Sequence, residues 1–326
     1  MLLTSIAVLI AGATSVRAHG YVQTVNIGGQ NYEAWHPFTD PYVQPNPATV
    51  VRKVPDDGPL TFDSGDLTCN KGGAVGNGQT ATVAAGQSVT WTMNTWPADH
   101  KGPVTVYMAN CGGSCDNFDG SGNVWYKVSE EGLIDSSSFT WASDKLISQG
   151  NSWTQVIPSN IKAGNYLMRL ELLALHSAGS PQFYPSCTQL EVTGGGDGAP
   201  AQSELVSIPG VYKSGDPALF GSIWEQPQSW PQAGPNVAAF VNGGSAPAPA
   251  PAPTSSESEP SSSSKPPASS TYSESESYPS PTKGSGGPKP TAPSATTKTK
   301  MCRIKRSQKN HFAKSEYMRG WGKRRI

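Results

Sequence analysis

Seven short runs of β-branched and aromatic residues, each bounded by Gly, Pro, Asn or Asp, constrain what this chain can fold into more than any other feature. They are Tyr21–Ile27, Ser88–Thr95, Val104–Ala109, Val124–Ser129, Ser152–Ile157, Tyr166–Leu173 and Cys187–Val192. Their length and composition suit strands, and no strong helical pattern competes with them. Short strands separated by long loops favour an all-β fold, an antiparallel β-sandwich of the immunoglobulin/fibronectin-like kind, over a βαβ arrangement. Gly164-Asn165 and Ala85-Gly86-Gln87 read as tight turns that feed core strands. A sandwich keeps its chemistry on loops and strand ends, so candidate site residues are sought there.

The strands occupy only part of the chain. Residues 1–18 read as a signal peptide: Leu2–Ala13 is apolar, and Val16 and Ala18 are the small residues a signal peptidase requires. The segment is shorter than the roughly 20 apolar residues needed to cross a bilayer, and no later stretch qualifies, so a secreted, extracellular protein without a transmembrane segment is expected. Cys69, Cys111, Cys115 and Cys187 then meet an oxidising environment and pair in one of three ways; Cys302 is left over.

Residues 19–242 have the composition of one folded domain. From 243 to 300 an Ala-Pro run and a Ser/Pro/Thr-rich tract lack the apolar surface to offset ordering entropy and read as a disordered, extended linker. Residues 301–326 are basic, with Glu316 the one acid, and offset an acidic remainder so that the formal net charge is zero. This tail reads first as unstructured and second as an electrostatic anchor to an anionic surface. It lacks the cysteines a small binding module would need to fold. No nucleic-acid partner is indicated, and a monomer is expected.

Histidine is scarce in the folded part: His19, His36, His100 and His176. Cleavage after Ala18 makes His19 the first residue, so that it carries both an α-amine and an imidazole, a pair able to chelate a metal. His100 precedes a strand in Asp99-His100-Lys101-Gly102-Pro103, a place from which a side chain projects onto a surface. The stretch from His176 to Cys187 sets His176, Gln182 and Tyr184 between two strands and closes on a cysteine, which reads either as a packed Tyr with a bonded hydroxyl or as a polar cluster beside a metal. Either way the phenol needs a partner.

In this order, His19-Gly20, Asp66-Leu67-Thr68-Cys69-Asn70, His100-Lys101-Gly102-Pro103-Val104, Ala174-Leu175-His176-Ser177-Ala178, Gln182-Phe183-Tyr184-Pro185-Ser186-Cys187 and Ile208-Pro209-Gly210-Val211-Tyr212 are highly specific. From His19 to about Val241 the chain resembles the fungal copper-dependent lytic polysaccharide monooxygenases of auxiliary activity family nine. The resemblance implies a histidine brace holding one copper ion per chain: the amine and Nδ1 of His19, Nε2 of His100, and Tyr184 in a long axial position. Nitrogen ligands in a plane suit Cu(II), and an amine with a reference pKa of about 7.7–8.0 must shed its proton to bind.

The resemblance further implies catalytic roles for His176, Gln182 and Tyr184, the first two hydrogen-bonding the oxygen co-substrate. It implies a flat copper-bearing surface with Tyr212 stacking on glucose rings, and disulfides Cys69–Cys187 and Cys111–Cys115. The activity implied is oxidative cleavage of cellulose or a related β-1,4-glucan at C1 or C4, using O2 or H2O2 and an external electron donor such as a small phenol, an ascorbate-like reductant or a secreted dehydrogenase.

Two other functions compete. A non-catalytic copper- or glycan-binding sandwich would keep the brace but has no need of His176, Gln182 and Tyr184. A hydrolase would need two carboxylates about 5–9.5 Å apart, and no motif pairs Asp63, Asp66, Asp99 or Asp116. His36 reads as a surface or packed histidine, and Tyr42 as a further loop aromatic near Tyr212 that no motif places.

Overall fold

The computed structural model describes residues 19–243. The chain divides into units 1–254 and 255–326, and the described residues fall in the first. The expected signal peptide, the linker beyond Gly243, the basic tail and Cys302 lie outside the described residues.

Two sheets carry the fold. The first is antiparallel throughout: β1 (Val22–Ile27) pairs with β2 (Gln30–Glu33) on one side and β4 (Ser88–Met93) on the other, and β9 (Ser152–Val156) completes the order β2-β1-β4-β9. The second has the order β3-β11-β10-β5-β6, built from β3 (Ala81–Ala84), β5 (Val104–Asn110), β6 (Trp125–Glu131), β10 (Gly164–Ala174) and β11 (Gln182–Thr193). A small hairpin, β7 (Leu133–Asp135) and β8 (Thr140–Trp141), runs directly into α1 (Ala142–Ser148).

All seven expected strands are present, and the β-sandwich holds with one local difference. β3 runs parallel to β11, so the second sheet is not purely antiparallel. Gly164-Asn165 opens β10, paired with Val192 and Glu191, rather than forming the turn before it. The turn at Ala85-Gly86-Gln87 is closed by the Gln87 amide donating to the Ala84 carbonyl at 3.1 Å.

Burial separates the sheets. β4 alternates buried and half-buried residues, as a strand with one wet face must, whereas Tyr166 through Ala174 of β10 are buried without interruption. The second sheet is covered on both faces. Against the first sheet it packs through Val106, Met168 and Leu170 with Val25 and Trp91, and the Trp91 indole donates across the gap to Thr188 Oγ1 at 2.8 Å. Its other face lies under Leu60, Leu67, Ile208, Leu219 and Ile223 from the connecting segments and their short helical turns, packed on Tyr107, Leu167 and Phe183. The disulfide Cys69–Cys187 ties that cover to β11, and Cys111–Cys115 clips the loop after β5.

Candidate metal centre

β10 ends and β5 and β11 begin at one pole of the second sheet, and there the chain gathers its candidate residues. His19 is delivered by the approach to β1. The Tyr21 amide donates to Asn94 Oδ1 at 2.8 Å and the Asn94 amide to the Tyr21 carbonyl at 3.0 Å, which ties the segment to the end of β4. Gly20 makes this approach possible, because a Cβ there would fall 2.0 Å from the Thr95 carbonyl oxygen.

His100 sits in the loop leading to β5. Its carbonyl accepts the Trp96 indole N–H at 3.1 Å, and its amide donates to Pro97 at 3.1 Å. Gly102 lets this loop lie against the end of β10, since a Cβ at that position would meet the Leu173 carbonyl oxygen at 1.9 Å.

The rings converge. His19 and His100 have centroids 5.4 Å apart at 70°, and Tyr184 lies 5.8 Å from His19 and 6.4 Å from His100. His176 stacks on His100 at 4.0 Å and 24°. Trp96, itself buried, meets both His100 and Tyr184 edge-on. The Tyr184 hydroxyl donates to Gln182 Oε1 at 2.8 Å, so the phenol's partner is the glutamine two residues before it on the same strand face. Gln182 and Tyr184 therefore stand on β11 and not on a loop between strands, as the sequence had suggested; the strand begins five residues before Cys187.

Electrostatics completes the picture. His100 Nδ1 bonds Asp99 Oδ1 at 2.9 Å, and the carboxylate, held low chiefly by that bond, fixes the proton on Nδ1. This leaves a lone pair on Nε2, which is buried without a hydrogen-bond partner, as is Nδ1 of His176. Burial, and then the neighbouring His100, lowers the pKa of His176 and favours its neutral form. Burial, with Asp57 and Asp99 nearby, raises the Tyr184 phenol, which stays protonated at any physiological pH.

These residues fit a soft-to-borderline metal. A buried imidazole lone pair with no donor is costly, and a cation at that nitrogen satisfies it. Among the described residues no three His, Cys, Asp or Glu side chains form a metal cage, so a third strong ligand must come from elsewhere. The nitrogen of His19 is an amide in the full chain and becomes a primary amine on cleavage after Ala18.

Several candidates belong elsewhere. Tyr212 is the main correction: expected as a surface platform, it is 3 % exposed, donates its hydroxyl to Glu171 Oε1 at 2.5 Å, lies 3.0 Å from the Tyr107 hydroxyl and tilts against Phe183 at 5.0 Å. A ring locked under the second sheet by a buried carboxylate cannot stack on a sugar. His36 pairs with Glu33 at 3.1 Å. Asp63 and Asp66 are exposed, and Asp116 is bonded by the side chains of Gln189 and Ser114.

Sequence reasoning missed Trp96, the hydrogen bond made by Asp99, and Trp224. The Asp-His dipeptide was a usable signal for the second. Trp224, 52 % exposed, carries its indole N–H to the His176 carbonyl at 2.9 Å, and only a large aromatic in a Gly/Pro/Gln-rich loop marks it in sequence.

Fold and site together define a β-sandwich with two histidines and a tyrosine converging at one pole of its second sheet. Residues 19–232 match the model of Auxiliary Activity family 9 (formerly GH61). The chain belongs to this family, whose members are lytic polysaccharide monooxygenases, copper-dependent oxidoreductases that cleave polysaccharides oxidatively and draw electrons from an external reductant.

It is 43% identical over 219 residues to AA9 family lytic polysaccharide monooxygenase B of Heterobasidion irregulare, covering 66% of this chain and 88% of that one. To lytic polysaccharide monooxygenase B of Gloeophyllum trabeum it is 38% identical, covering 70% and 94%. Among solved structures, that of HiLPMO9B shares 40% identity with a TM-score of 0.63 over 67% of this chain and 99% of that chain. The extended catalytic domain of H. jecorina LPMO9A shares 32% identity with a TM-score of 0.65, covering 71% and 96%.

Proposed function

We propose that the processed protein, beginning at His19, is a secreted monomeric monooxygenase that cleaves cellulose by hydroxylating C1 or C4 of a glucose unit, using O2 or H2O2. The observation that carries this reading is the buried, unpartnered Nε2 of His100 beside His19 and Tyr184. In it, the amine and Nδ1 of His19 and Nε2 of His100 would hold one copper ion, with the Tyr184 phenol close by. Copper bound there supplies one-electron redox chemistry that activates the oxygen co-substrate.

The protein's own groups do the rest. Neutral His176 has one N–H to give and one lone pair to receive a proton. Gln182 spends its amide oxygen on Tyr184, which leaves its NH2 to donate to the oxygen co-substrate. Tyr184, kept protonated, holds Gln182 and does not compete as an anionic ligand. With O2, two electrons and two protons convert C–H to C–OH and release water; with H2O2 the same conversion releases water with no net electrons required. The hydroxylated carbon then expels the glycosidic oxygen and the chain parts.

Exposed aromatics supply the platform in place of Tyr212. Trp224 stands beside His176, and Phe38, 46 % exposed, touches Tyr21, two residues from His19. Tyr42, 83 % exposed, stands on the same loop. Rings presented to solvent bind sugar faces through apolar area.

The test is mass spectrometry of products from cellulose incubated with copper-loaded protein and ascorbate. Oxidised oligosaccharides that disappear on chelation support the reading; unoxidised products that persist with chelator indicate a hydrolase, and tight copper binding without product indicates a binding protein. His100→Ala is expected to lose copper, and Gln182→Ala to keep it while product falls by about 10²-fold or more, the scale of a lost acid–base contact.

A further inference from the structure

We infer that Trp224 is a positioning residue that couples stacking of the polymer to the orientation of His176, an inference that rests on the cellulose-oxidising reading above. One side chain performs two tasks. Its ring is half exposed, and its indole N–H is committed to the His176 carbonyl at 2.9 Å.

The strap that delivers this ring is fixed. α2 (Pro217–Phe220) is capped by Asp216, whose Oδ1 accepts the Ala218 amide at 2.9 Å. Trp230 returns its indole N–H to the Ala218 carbonyl at 3.0 Å and packs edge-on against Trp141. Ile223, next to Trp224, is fully buried. With its neighbours pinned, the Trp224 side chain is what a bound sugar can displace.

Trp224 also closes a ring of contacts around the site. It lies 5.7 Å from Phe139, which is held at φ +52°, a left-handed backbone conformation that an aromatic residue adopts only when its surroundings impose it. Lys101 Nζ sits 5.2 Å from the Phe139 ring and bonds both oxygens of Asp144 at 2.7 and 2.8 Å. Lys101 follows His100 in the chain, and the Leu175 amide donates to the Lys101 carbonyl at 2.8 Å. From Trp224 the path runs through Phe139 and Lys101 to His100, and through the His176 carbonyl to the imidazole stacked on His100. The indole is therefore linked by contacts to both histidines, and the shorter branch is the hydrogen bond to the His176 carbonyl.

Trp224→Phe keeps a ring and deletes the donor, while Trp224→Ala removes both. For Trp224→Phe we expect adsorption to microcrystalline cellulose to stay within about twofold and product yield at saturating cellulose to fall about two- to tenfold, the range one net hydrogen bond spans. The His176 imidazole resonances of the metal-free protein should move, and their response to added cellohexaose should vanish. Trp224→Ala should also lose most adsorption, with the melting temperature showing that both variants fold.

Unchanged His176 resonances or an unchanged yield in Trp224→Phe would overturn the coupling, and retained adsorption in Trp224→Ala would overturn the platform. If the wild-type protein makes no oxidised product, the cellulose-oxidising reading fails on its own, while the resonances still report whether the indole positions His176.

Discussion

At the scale of single residues, the site depends on which nitrogen of His100 carries the proton. Asp99 is largely exposed, so its hydrogen bond to Nδ1 contributes little to folding, yet it decides that Nε2 is the one free to bind metal. Asp99→Ala is expected to weaken copper binding about tenfold, the low end for loss of a group that orients a metal-binding histidine, with the melting temperature of the metal-free protein nearly unchanged. Calorimetric titration with Cu(II) and a thermal melt check this together. His19, His100, His176, Gln182 and Tyr184 were legible in sequence through motif and order. Trp224 and Trp96 were not, because contacts across 48 residues or to a main-chain carbonyl leave no local pattern.

At the scale of elements, the sequence showed strands that bury wide β-branched or aromatic side chains and hid those that do not. β3 reads Ala-Thr-Val-Ala and β2 Gln-Asn-Tyr-Glu, too short and too plain to stand out, and each exists because a longer neighbour supplies its hydrogen bonds. Tyr212 failed for a related reason: a motif places a residue in order but not in depth. Its hydroxyl belongs to a buried network in which Arg169 Nη2 donates to Glu171 Oε2 at 2.6 Å while Tyr212 occupies Oε1.

Tyr212→Phe should therefore cost about 1–3 kcal/mol of stability, the penalty for leaving a buried acceptor unpaired, and should leave cellulose adsorption unchanged. Urea unfolding and a pull-down on cellulose measure the two. A loss of adsorption in a fully stable variant would restore Tyr212 to the surface role.

At the scale of the whole molecule, the proposed reading makes processing after Ala18 the step that would complete the copper site. Because the described residues offer no third His, Cys, Asp or Glu ligand, a protein that keeps one extra residue before His19 exchanges an amine for an amide and is expected to bind Cu(II) at least about 100-fold more weakly. Titration of the two forms decides it, and equal affinity would remove the amine from the ligand set. Truncation after Gly243 should leave both affinity and melting temperature unchanged, since the sandwich core, its two disulfides and the metal centre all lie within residues 19–243.

The bond between Cys69 and Cys187 has a further consequence. An enzyme of this family works in the presence of reductant, and small thiols or other donors that serve the metal also threaten disulfides. Cys187 is wholly enclosed and Cys69 is 2 % exposed, so attack on either sulfur requires the loop cover to lift from the second sheet first. Cys111 is half-buried and Cys115 is 1 % exposed, so only the Cys111 side of the short clip borders solvent. The crosslink that spans 118 residues is thus the more enclosed of the two, and a reductant that serves the metal would meet the local clip before the bond that ties the loop cover to the second sheet.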